Sequence, residues 1–486
     1  MAQVGLLIVG AGPKGLALAA KHHAISRHCQ LDNDYLVLER NGVGAHWTGD
    51  HGYTDGLQTL VSPPEQDLGY PYKSYRDLIN GDRIDAEMQK LSWESFLVAT
   101  RRRDDWIVKH RNRPTHKELV EYLQWAGAQI SLSHTIGEVD KIDLESDEWL
   151  VSWGNENRTA CGLVITSHGG PKRVGGKGYE NPRISDGRDF WQKLENFEDI
   201  QAGDYIGVVG AGETAGTIAL AILDIIERNA DRMIKGFVKP EIMLVCKQPG
   251  YFLRSDVSKD LRYFSDPIEW QELIVAQRLG IIKRADRGVV SSHVKMRLEH
   301  SDLVSYHVGK LEWEPGYTVP TEGGFLTQIT YGLESESTES VPQPLNFLVS
   351  ALGFDDMWFL KLFTHRARVK LISHVLDSED RITSDSLQKS LSKEGKTIED
   401  LENPEVLADN LNEPLVSSWL QKKFEFSIAY DLSVDGFKPK IHLPRLAGLM
   451  QGPGFPNLNC LGLLSDRIWC AYEPQLVEKS SSKLLS

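Results

Sequence analysis

The feature that most constrains the fold is a glycine-rich turn close to the start of the sequence. Gly10, Gly12 and Gly15 follow the G-x-G-x-x-G spacing, with Pro13 and Lys14 between the last two glycines. The residues before the turn are apolar and fit a buried strand, and those after it fit the first turns of a helix. Such a turn lets the backbone approach a diphosphate, and the exposed helix amides favour its negative charge. We therefore predict that these five residues belong to a nucleotide site.

A second copy of the pattern lies one domain length further along the chain. An apolar strand over residues 205–209 leads into Gly210 and Gly212, and Glu213 and Thr214 open the following helix. Alanine occupies the third glycine position of this copy. Chance rarely places two such units in one chain. The sequence therefore predicts an α/β fold with two Rossmann-like dinucleotide-binding domains.

The residue that ends the second strand of each unit indicates which nucleotide the unit binds. In the first unit this strand ends in Glu39, which Arg40 follows, and in the second unit it ends in Lys247. A carboxylate accepts hydrogen bonds from the ribose hydroxyls and repels a 2′-phosphate, whereas a cation can pair with that phosphate. We therefore predict FAD in the first unit and NADPH in the second. A solvated strand end is the alternative interpretation at both positions.

Two irregular segments add candidate site residues. Residues 42–72 mix glycine, proline and aromatic residues without a regular period. This pattern predicts an ordered loop that covers a flat ring such as an isoalloxazine, or else a structural loop. Residues 251–267 carry Arg254, Asp260 and Arg262. These charges fit a charged substrate slightly better than a solvated loop.

Composition excludes several classes of protein. At 486 residues the chain is long enough for two or three domains, and its formal net charge of −14 disfavours a general nucleic-acid binder. Its five cysteines lack C-x-x-C pairing, which suits a reducing cytoplasm and offers no zinc site. The N-terminal apolar run is too short to span a bilayer. We expect a cytoplasmic protein without metal, membrane or nucleic-acid partners, and a homo-oligomer fits these features.

The two units suggest domain bounds. We predict a discontinuous FAD-binding domain of residues 1–200 and 340–475, an NADPH-binding domain of residues 201–340, and a helical insertion at residues 374–423. The insertion is charged and polar, and we expect it to be exposed. In the first domain, Thr115 with an acid three residues later predicts the start of a helix with a capping box.

Over nearly the whole chain apart from the insertion, the sequence resembles the flavin-dependent N-hydroxylating monooxygenases. The resemblance is to the lysine N6-hydroxylases of mycobactin-type siderophore pathways, within the lysine and ornithine N-monooxygenases. The stretches that carry it are residues 10–20, 42–47, 52–56, 64–72, 210–215, 264–267, 286–289 and 451–467. It implies a small helical substrate region beside the nucleotide domains. It also implies an amino-acid substrate with O2, and a role in siderophore or other natural-product biosynthesis.

The resemblance also implies a mechanism and a set of site residues. NADPH reduces FAD, the reduced flavin captures O2 as a C4a-hydroperoxide, and an unprotonated amine attacks the distal oxygen. No catalytic protein residue is implied, because the chain positions and desolvates the reactants. Carried over to this sequence, FAD would contact Gly10, Gly12, Gly15, Glu39, Trp47 and Gln58, NADPH would contact Gly210, Gly212, Glu213, Thr214 and Lys247, and Ser465 would face substrate and flavin.

Two departures from the family pattern lie on the substrate side. Gln66 stands where a lysine is common, and Leu261 stands where an asparagine is common. Lysine is the first expectation for the substrate, and an aspartate-type N-hydroxylase is the alternative, in which Arg254 and Arg262 would suit a second carboxylate. A disulfide-type pyridine nucleotide oxidoreductase would need a cysteine pair near the first helix, where only Cys29 lies. A flavin-binding sensor without monooxygenase activity is a further alternative.

Overall fold

The structure is a computed structural model, and it describes residues 3–29, 34–74, 78–175, 179–255, 257–312, 325–331, 339–377 and 402–472. The strands within these ranges are β1 (Gln3–Val9), β2 (Tyr35–Glu39), β3 (His134–Ile136), β4 (Lys141–Glu145), β5 (Glu148–Trp153), β6 (Glu156–Ile165), β7 (Ile184–Asp186), β8 (Tyr205–Val209), β9 (Glu241–Cys246), β10 (Phe252–Leu253), β11 (Val289–Val290), β12 (Val304–Glu312), β13 (Phe325–Tyr331), β14 (Glu339–Leu345), β15 (Phe347–Ser350) and β16 (Lys440–His442).

Helices occupy most of the remaining described chain. The α-helices are α1 (Pro13–Ser26), α2 (Leu78–Gln89), α3 (Trp93–Ala99), α4 (Arg103–Val108), α5 (His116–Gln129), α6 (Glu213–Arg228), α7 (Ala230–Met233), α8 (Ser258–Arg262), α9 (Val275–Ala285), α10 (Ser292–Glu299), α11 (His365–Leu376), α12 (Pro404–Asp409), α13 (Pro414–Phe426), α14 (Gly448–Gln451) and α15 (Leu461–Cys470). Short 3-10 helices span Ala45–Trp47, Leu194–Asp199, Ile268–Glu272, Trp358–Leu362 and Pro444–Leu446.

The first sheet is built around β1. Its strand order is β3-β2-β1-β6-β5-β4, and β16 also pairs with β6. β1 pairs in parallel with β2 and β6, and its residues Leu6, Leu7 and Ile8 are fully buried. A parallel strand that is covered on both faces needs a continuous apolar run, which is the pattern that this stretch has. α1 packs against α15 beside this sheet, so the N-terminal unit and the C-terminal segment form one body.

The second sheet has the order β14-β13-β12-β9-β8-β15-β7. β8 pairs in parallel with β9 and with β15, and β15 pairs in parallel with β7. Since β7 and β15 lie outside residues 201–340, the sheet extends beyond the predicted bounds of the second domain at both ends. A short apolar strand can join either of two sheets, and its sequence pattern alone does not identify which sheet it joins.

Two antiparallel connections join the sheets. The amide of Gly169 donates to the carbonyl of Asp355 (2.9 Å), and the amide of Asp355 donates to the carbonyl of Gly170 (2.9 Å). The amide of Lys172 donates to the carbonyl of Gly353 (2.8 Å). The chain therefore passes between the sheets twice at the same place, after β6 and after β15.

A small helical region follows β10 and packs on the C-terminal segment. The indole of Trp270, which is fully buried, donates to the carbonyl of Leu449 (2.9 Å) in α14. The Arg287 guanidinium pairs with Glu425 (2.8 Å) of α13, and the Asn457 amide donates to Asp286 (2.8 Å). The region around α8 and α9 therefore contacts the first unit, although in sequence it belongs to the second unit.

The described part of residues 374–423 is helical and not exposed as we expected. Residues 378–401 lie outside the described residues. In α12 and α13, Leu407, Val416, Leu420 and Phe424 are buried in the core of the first unit. The last three follow each other at intervals of four residues, and this spacing places them on one face of the helix. The high share of charged residues around them concealed this apolar stripe in the sequence.

Candidate active site

The first glycine turn has the geometry of a ligand cradle. Gly10 has φ +106°, which favours glycine, and α1 begins at Pro13 with Gly12 as its N-cap. A Cβ placed on Gly12 would meet nothing within 4 Å, whereas a Cβ on Gly15 would lie 2.1 Å from the carbonyl oxygen of Gly10. Gly15 is therefore required by helix–strand packing, and Gly12 leaves open space at the start of α1.

Glu39 lies beside this turn at the end of β2. Its carboxylate accepts hydrogen bonds from the amides of Ala11 (2.8 Å) and Asn41 (2.9 Å). The next residue, Arg40, is exposed and pairs with Glu138 (2.9 Å). The carboxylate of Glu39 is thus fixed at the edge of the open space, while Arg40 is committed to a surface ion pair.

Lys14 is a buried cation in the same turn. Its Nζ donates a hydrogen bond to the carbonyl oxygen of Pro456 (2.7 Å), and Lys14 as a whole is 7% exposed to solvent. Arg445 reaches the same carbonyl (3.4 Å) and pairs with Asp356 (2.8 Å). Burial, together with the nearby Arg445, lowers the pKa of Lys14 to about 7.

The aromatic rings of residues 42–60, which follow the turn, pack against each other and against rings from other segments. The ring of His46 stacks on Tyr53 (3.8 Å between centroids), and His168 stacks on Phe354 (4.0 Å). Trp47 meets His116 edge-on (4.7 Å). Burial lowers the pKa of His116 to about 4, and burial together with Arg445 lowers that of His168 to about 4. Both rings are therefore neutral near pH 7.

The start of α5 fixes this loop in place. Thr115 and Glu118 form the predicted capping box, which the structure confirms. The amide of His116 donates to the carbonyl of Gln58 (2.9 Å), and the amide of Lys117 donates to that of Gly56 (2.9 Å). Gln58, a candidate contact of the flavin ring, is therefore held through its backbone by a well-capped helix end.

Residues 64–72 form a loop over the C-terminal segment. The Gln66 side-chain oxygen accepts a hydrogen bond from Asn459. Asp67, which was not predicted from the sequence, accepts hydrogen bonds from the Trp93 amide (2.9 Å) and the Tyr72 hydroxyl (2.7 Å). Burial raises the pKa of Asp67 to about 6. Asp67 lies in residues 64–72, one of the stretches that carry the resemblance, but nothing in its local pattern identified this anchoring role.

The charged substrate candidates are divided between two ion-pair groups. Asp260 is buried and pairs with Arg284 (3.1 Å). Arg262 pairs with Asp266 (3.4 Å), which Lys73 of the loop also contacts (3.1 Å). The structure therefore brings Arg262 to the loop that carries Gln66, whereas Asp260 is occupied within the helical region.

The other two substrate candidates have backbone partners. The amide of Arg254 donates to the carbonyl of Val290 (3.0 Å), which continues the pairing of β10 with β11. Ser465 is fully buried in α15, and its hydroxyl donates to the carbonyls of Leu461 and Gly462 (both 2.9 Å). A hydrogen bond donated by Ser465 to a ligand would require that hydroxyl to change partner, whereas its oxygen can still accept one.

The second glycine turn repeats the first. Gly210 has φ +146°, and a Cβ on Gly212 would meet nothing within 4 Å. The Glu213 carboxylate accepts a hydrogen bond from the Ser291 amide (2.6 Å), and Thr214 lies near Gly187. Lys247 is exposed after β9.

The two turns lie close to one connection. A Cβ on Gly210 would lie 2.3 Å from the carbonyl oxygen of Ala351, and Phe354, three residues later, stacks on His168 at the first turn. Three residues of extended chain span about 10 Å. The chain from Ala351 to Phe354 therefore runs from the second glycine turn to the aromatic rings beside the first.

The described ranges lack two further classes of feature. No helix there is both long enough and apolar enough to cross a membrane. The same residues contain no group of three His, Cys, Asp or Glu side chains that could hold a metal ion.

Comparisons with known proteins agree with this architecture. No protein-family profile matches the chain. It is 32% identical over 463 residues to L-lysine N6-monooxygenase MbtG of Mycolicibacterium paratuberculosis, covering 95% of this chain and 94% of that protein. It is likewise 32% identical over 464 residues to MbtG of Mycobacterium tuberculosis, with the same coverage.

Solved structures share the fold. Lysine monooxygenase NbtG from Nocardia farcinica superposes with a TM-score of 0.72 at 29% identity, over 96% of this chain and 99% of that one. An ornithine N-hydroxylase from Kutzneria sp. 744, solved as KtzI-FADred-NADP+-L-orn, gives 0.66 at 16% identity, over 97% and 99%. These matches confirm the predicted fold class. Since relatives of this identity cover nearly the full chain, the protein belongs to the L-lysine N6-monooxygenase family.

Proposed function

We propose that the protein is an FAD- and NADPH-dependent monooxygenase that hydroxylates the side-chain nitrogen of L-lysine, in siderophore or other natural-product biosynthesis. In the net reaction, the amine, O2, NADPH and a proton give the N-hydroxylamine, water and NADP+. The observation that carries the proposal is the pair of open glycine turns, at Gly12 and Gly212, on either side of one connection. Membership of the family supports the choice of reaction.

The first unit fits FAD. At Gly12 the backbone leaves room for a diphosphate, and the first amides of α1 have no acceptor within their own helix. Glu39 would accept the ribose hydroxyls, while Trp47 and Gln58 would border the ring. When bound, FAD would take a hydride from NADPH and deliver one oxygen atom of O2 to the amine.

The second unit fits NADPH. Gly210 and Gly212 would border the diphosphate, with Thr214 beside them. Glu213 would stabilise this turn, because its carboxylate already accepts a hydrogen bond from the Ser291 amide. The exposed ammonium of Lys247, directly after β9, would pair with a 2′-phosphate, and such a cation would favour NADPH over NADH.

The substrate side would combine the loop of Gln66 with the helical region. Arg262 and Lys73 both contact Asp266, so cations and a carboxylate lie together where an amino acid could bind by its charged end. The chain would then have to hold the reacting amine unprotonated. A lysine amine has an ordinary pKa of about 10.4, and desolvation lowers it.

A substrate screen tests the proposal. Purified protein with FAD is given NADPH and, separately, L-lysine, L-ornithine, a diamine or L-aspartate, and both NADPH consumption and hydroxylamine formation are measured. We expect lysine to give the highest ratio of hydroxylamine to NADPH consumed. A higher ratio with aspartate would support the aspartate-type alternative. NADPH consumption with no hydroxylamine from any amine would contradict the proposed reaction.

A further inference from the structure

Two cations converge on a single backbone carbonyl beside the first glycine turn. Lys14 Nζ lies 2.7 Å from the Pro456 oxygen, and Arg445 Nη1 lies 3.4 Å from the same oxygen. Arg445 also pairs with Asp356 through two nitrogens, at 2.8 and 3.1 Å. Lys14 is the more deeply buried of the two cations.

The charges of this cluster do not balance. Asp356 is the one carboxylate that the described residues place against the two cations, and it is bonded to Arg445. The neighbouring rings of His46 and His168 add no negative charge, and Arg445 contributes to the lowering of the pKa of both. A buried ammonium that has a carbonyl but no anion is costly. The cluster therefore has room for one further negative charge when Lys14 is protonated.

The open space for an anion lies next to this cluster. Lys14 is the second residue of α1, and a Cβ placed on Gly12, which precedes the helix, would meet nothing within 4 Å. The start of a helix favours negative charge through its free amides. The start of α1 and the buried cation are two independent features, and both favour a negatively charged ligand.

We propose that Lys14 is a proton-coupled counter-charge for the FAD diphosphate: its amine takes up a proton from solvent when FAD binds, and the ammonium then neutralises the diphosphate. This inference rests on the proposed function, because it assumes FAD in the first unit. It assigns to the side chain of Lys14 a role separate from that of the backbone amides. The carbonyl of Pro456 would hold the ammonium in place.

The coupling has a definite direction with pH. Without FAD, burial and Arg445 lower the pKa of Lys14 to about 7, so the amine is largely neutral at pH 8. A bound diphosphate raises that pKa, because it favours the charged form. FAD affinity is therefore constant below about pH 7 and falls above it, by up to about tenfold per pH unit, until the raised pKa is reached.

Titration calorimetry of flavin-free protein tests the proposal. FAD is added at pH 8 in two buffers with different ionisation enthalpies, and the difference in heat gives the protons taken up. We expect about one proton per FAD for the unchanged protein and close to none at pH 6. Lys14→Met should abolish this uptake and weaken FAD binding by about ten- to a hundredfold. Lys141→Met, an exposed lysine on β4, is the matched control and should change neither quantity.

Further ligands and a second variant separate the outcomes. ADP carries the diphosphate without the flavin, so it should also drive proton uptake, and uptake with FMN but not with ADP would overturn the assignment. Lys14→Arg keeps the charge but does not titrate, so it should bind FAD more tightly than Lys14→Met and without uptake. Equal uptake by Lys14→Met and the unchanged protein would overturn the proposal. Failure of the unchanged protein to bind FAD would instead contradict the proposed function.

Discussion

Gly12 and Gly15 belong to one sequence motif, yet their surroundings differ. Gly12 has φ −78°, which any residue adopts, and open space in front of it, whereas a Cβ on Gly15 would overlap the carbonyl of Gly10. We therefore expect Gly12→Leu to fold normally and to lose bound FAD, because the new side chain fills the ligand space. Gly15→Ala should lower the free energy of unfolding by about 1–3 kcal/mol through overpacking.

Both effects are measured on the purified proteins. Flavin content is read from the absorbance of the bound cofactor, and stability is read from urea unfolding of the flavin-free proteins, so that FAD itself does not add to stability. Gly5→Ala, in β1 before the turn, serves as a control for substitution of a glycine nearby. Full flavin content in Gly12→Leu would contradict the placement of FAD at this turn.

Sequence predicts residues of this kind well when their partners are local. The glycine spacing predicted the turn between β1 and α1, because the turn is formed by residues that are close in sequence. The partner of Lys14 is Pro456, 442 residues away, and Asp260 pairs with Arg284, 24 residues away. No local pattern identifies such a partner, so the ion pairs of the candidate site could not be predicted.

Helices and strands show the same difference between features set by neighbouring residues and features set by distant residues. The capping box at the start of α5 was predicted correctly because its two side chains lie three residues apart. The place of β15 in the second sheet was not predicted, since the predicted bounds assign residues 340–475 to the first domain. The partner of a strand depends on which strand edges are free when the sheet forms. A short stretch of sequence does not contain this information.

The short strand β16 gives a prediction on pH. His442 is fully buried there, and its ring contacts the Asp431 carbonyl (2.8 Å) and the Tyr472 hydroxyl (2.7 Å). Burial lowers the pKa of His442 to about 4, below the ordinary value of about 6.5 in the unfolded chain. The unfolded chain therefore binds the proton more tightly. Stability should fall as the pH is lowered from 6.5 to 4, with up to about 1.4 kcal/mol per pH unit from this residue.

Urea unfolding at several pH values measures this contribution. His116 and His168 act in the same direction, so the relevant quantity is the difference between the unchanged protein and His442→Gln. We expect the variant to be less stable at pH 8 and to lose less stability between pH 6.5 and 4. The exposed His110, replaced by asparagine because its φ is +55°, is the control. An unchanged pH slope in His442→Gln would show that His442 takes up its proton in the folded chain as readily as in the unfolded chain, and would contradict the lowered pKa.

At the scale of the whole molecule, the repeated turns predict two nucleotide units, but they do not predict which contacts join the two units. β15 lies in the second sheet, and the chain after it reaches the first unit at Phe354, which stacks on His168. The helical region then contacts the C-terminal segment at Asp286 and Arg287. These contacts hold the second unit, and with it the proposed NADPH, against the first.

The pair of Arg287 with the nearly buried Glu425 provides a test of that placement. Arg287→Met alone removes the cation beside Glu425 and leaves its carboxylate with the hydrogen bond from the Gln421 side-chain amide. We therefore expect this substitution to destabilise the protein by about 1–3 kcal/mol. Adding Glu425→Gln removes the stranded charge and should recover part of this loss. Both variants should bind FAD normally but show slower anaerobic flavin reduction at saturating NADPH, because a small displacement of one reactant slows transfer.

The reduction rate, followed by flavin absorbance, separates placement from stability. The double variant is the informative protein, since its stability is partly restored while the contact between the units is still missing. Lys239→Met, which removes the exposed pair with Asp302 within the second unit, should change stability by less than about 1 kcal/mol and leave the rate unchanged. If the double variant reduced its flavin as fast as the unchanged protein, the contact at Arg287 would stabilise the chain without setting the distance between the nucleotides.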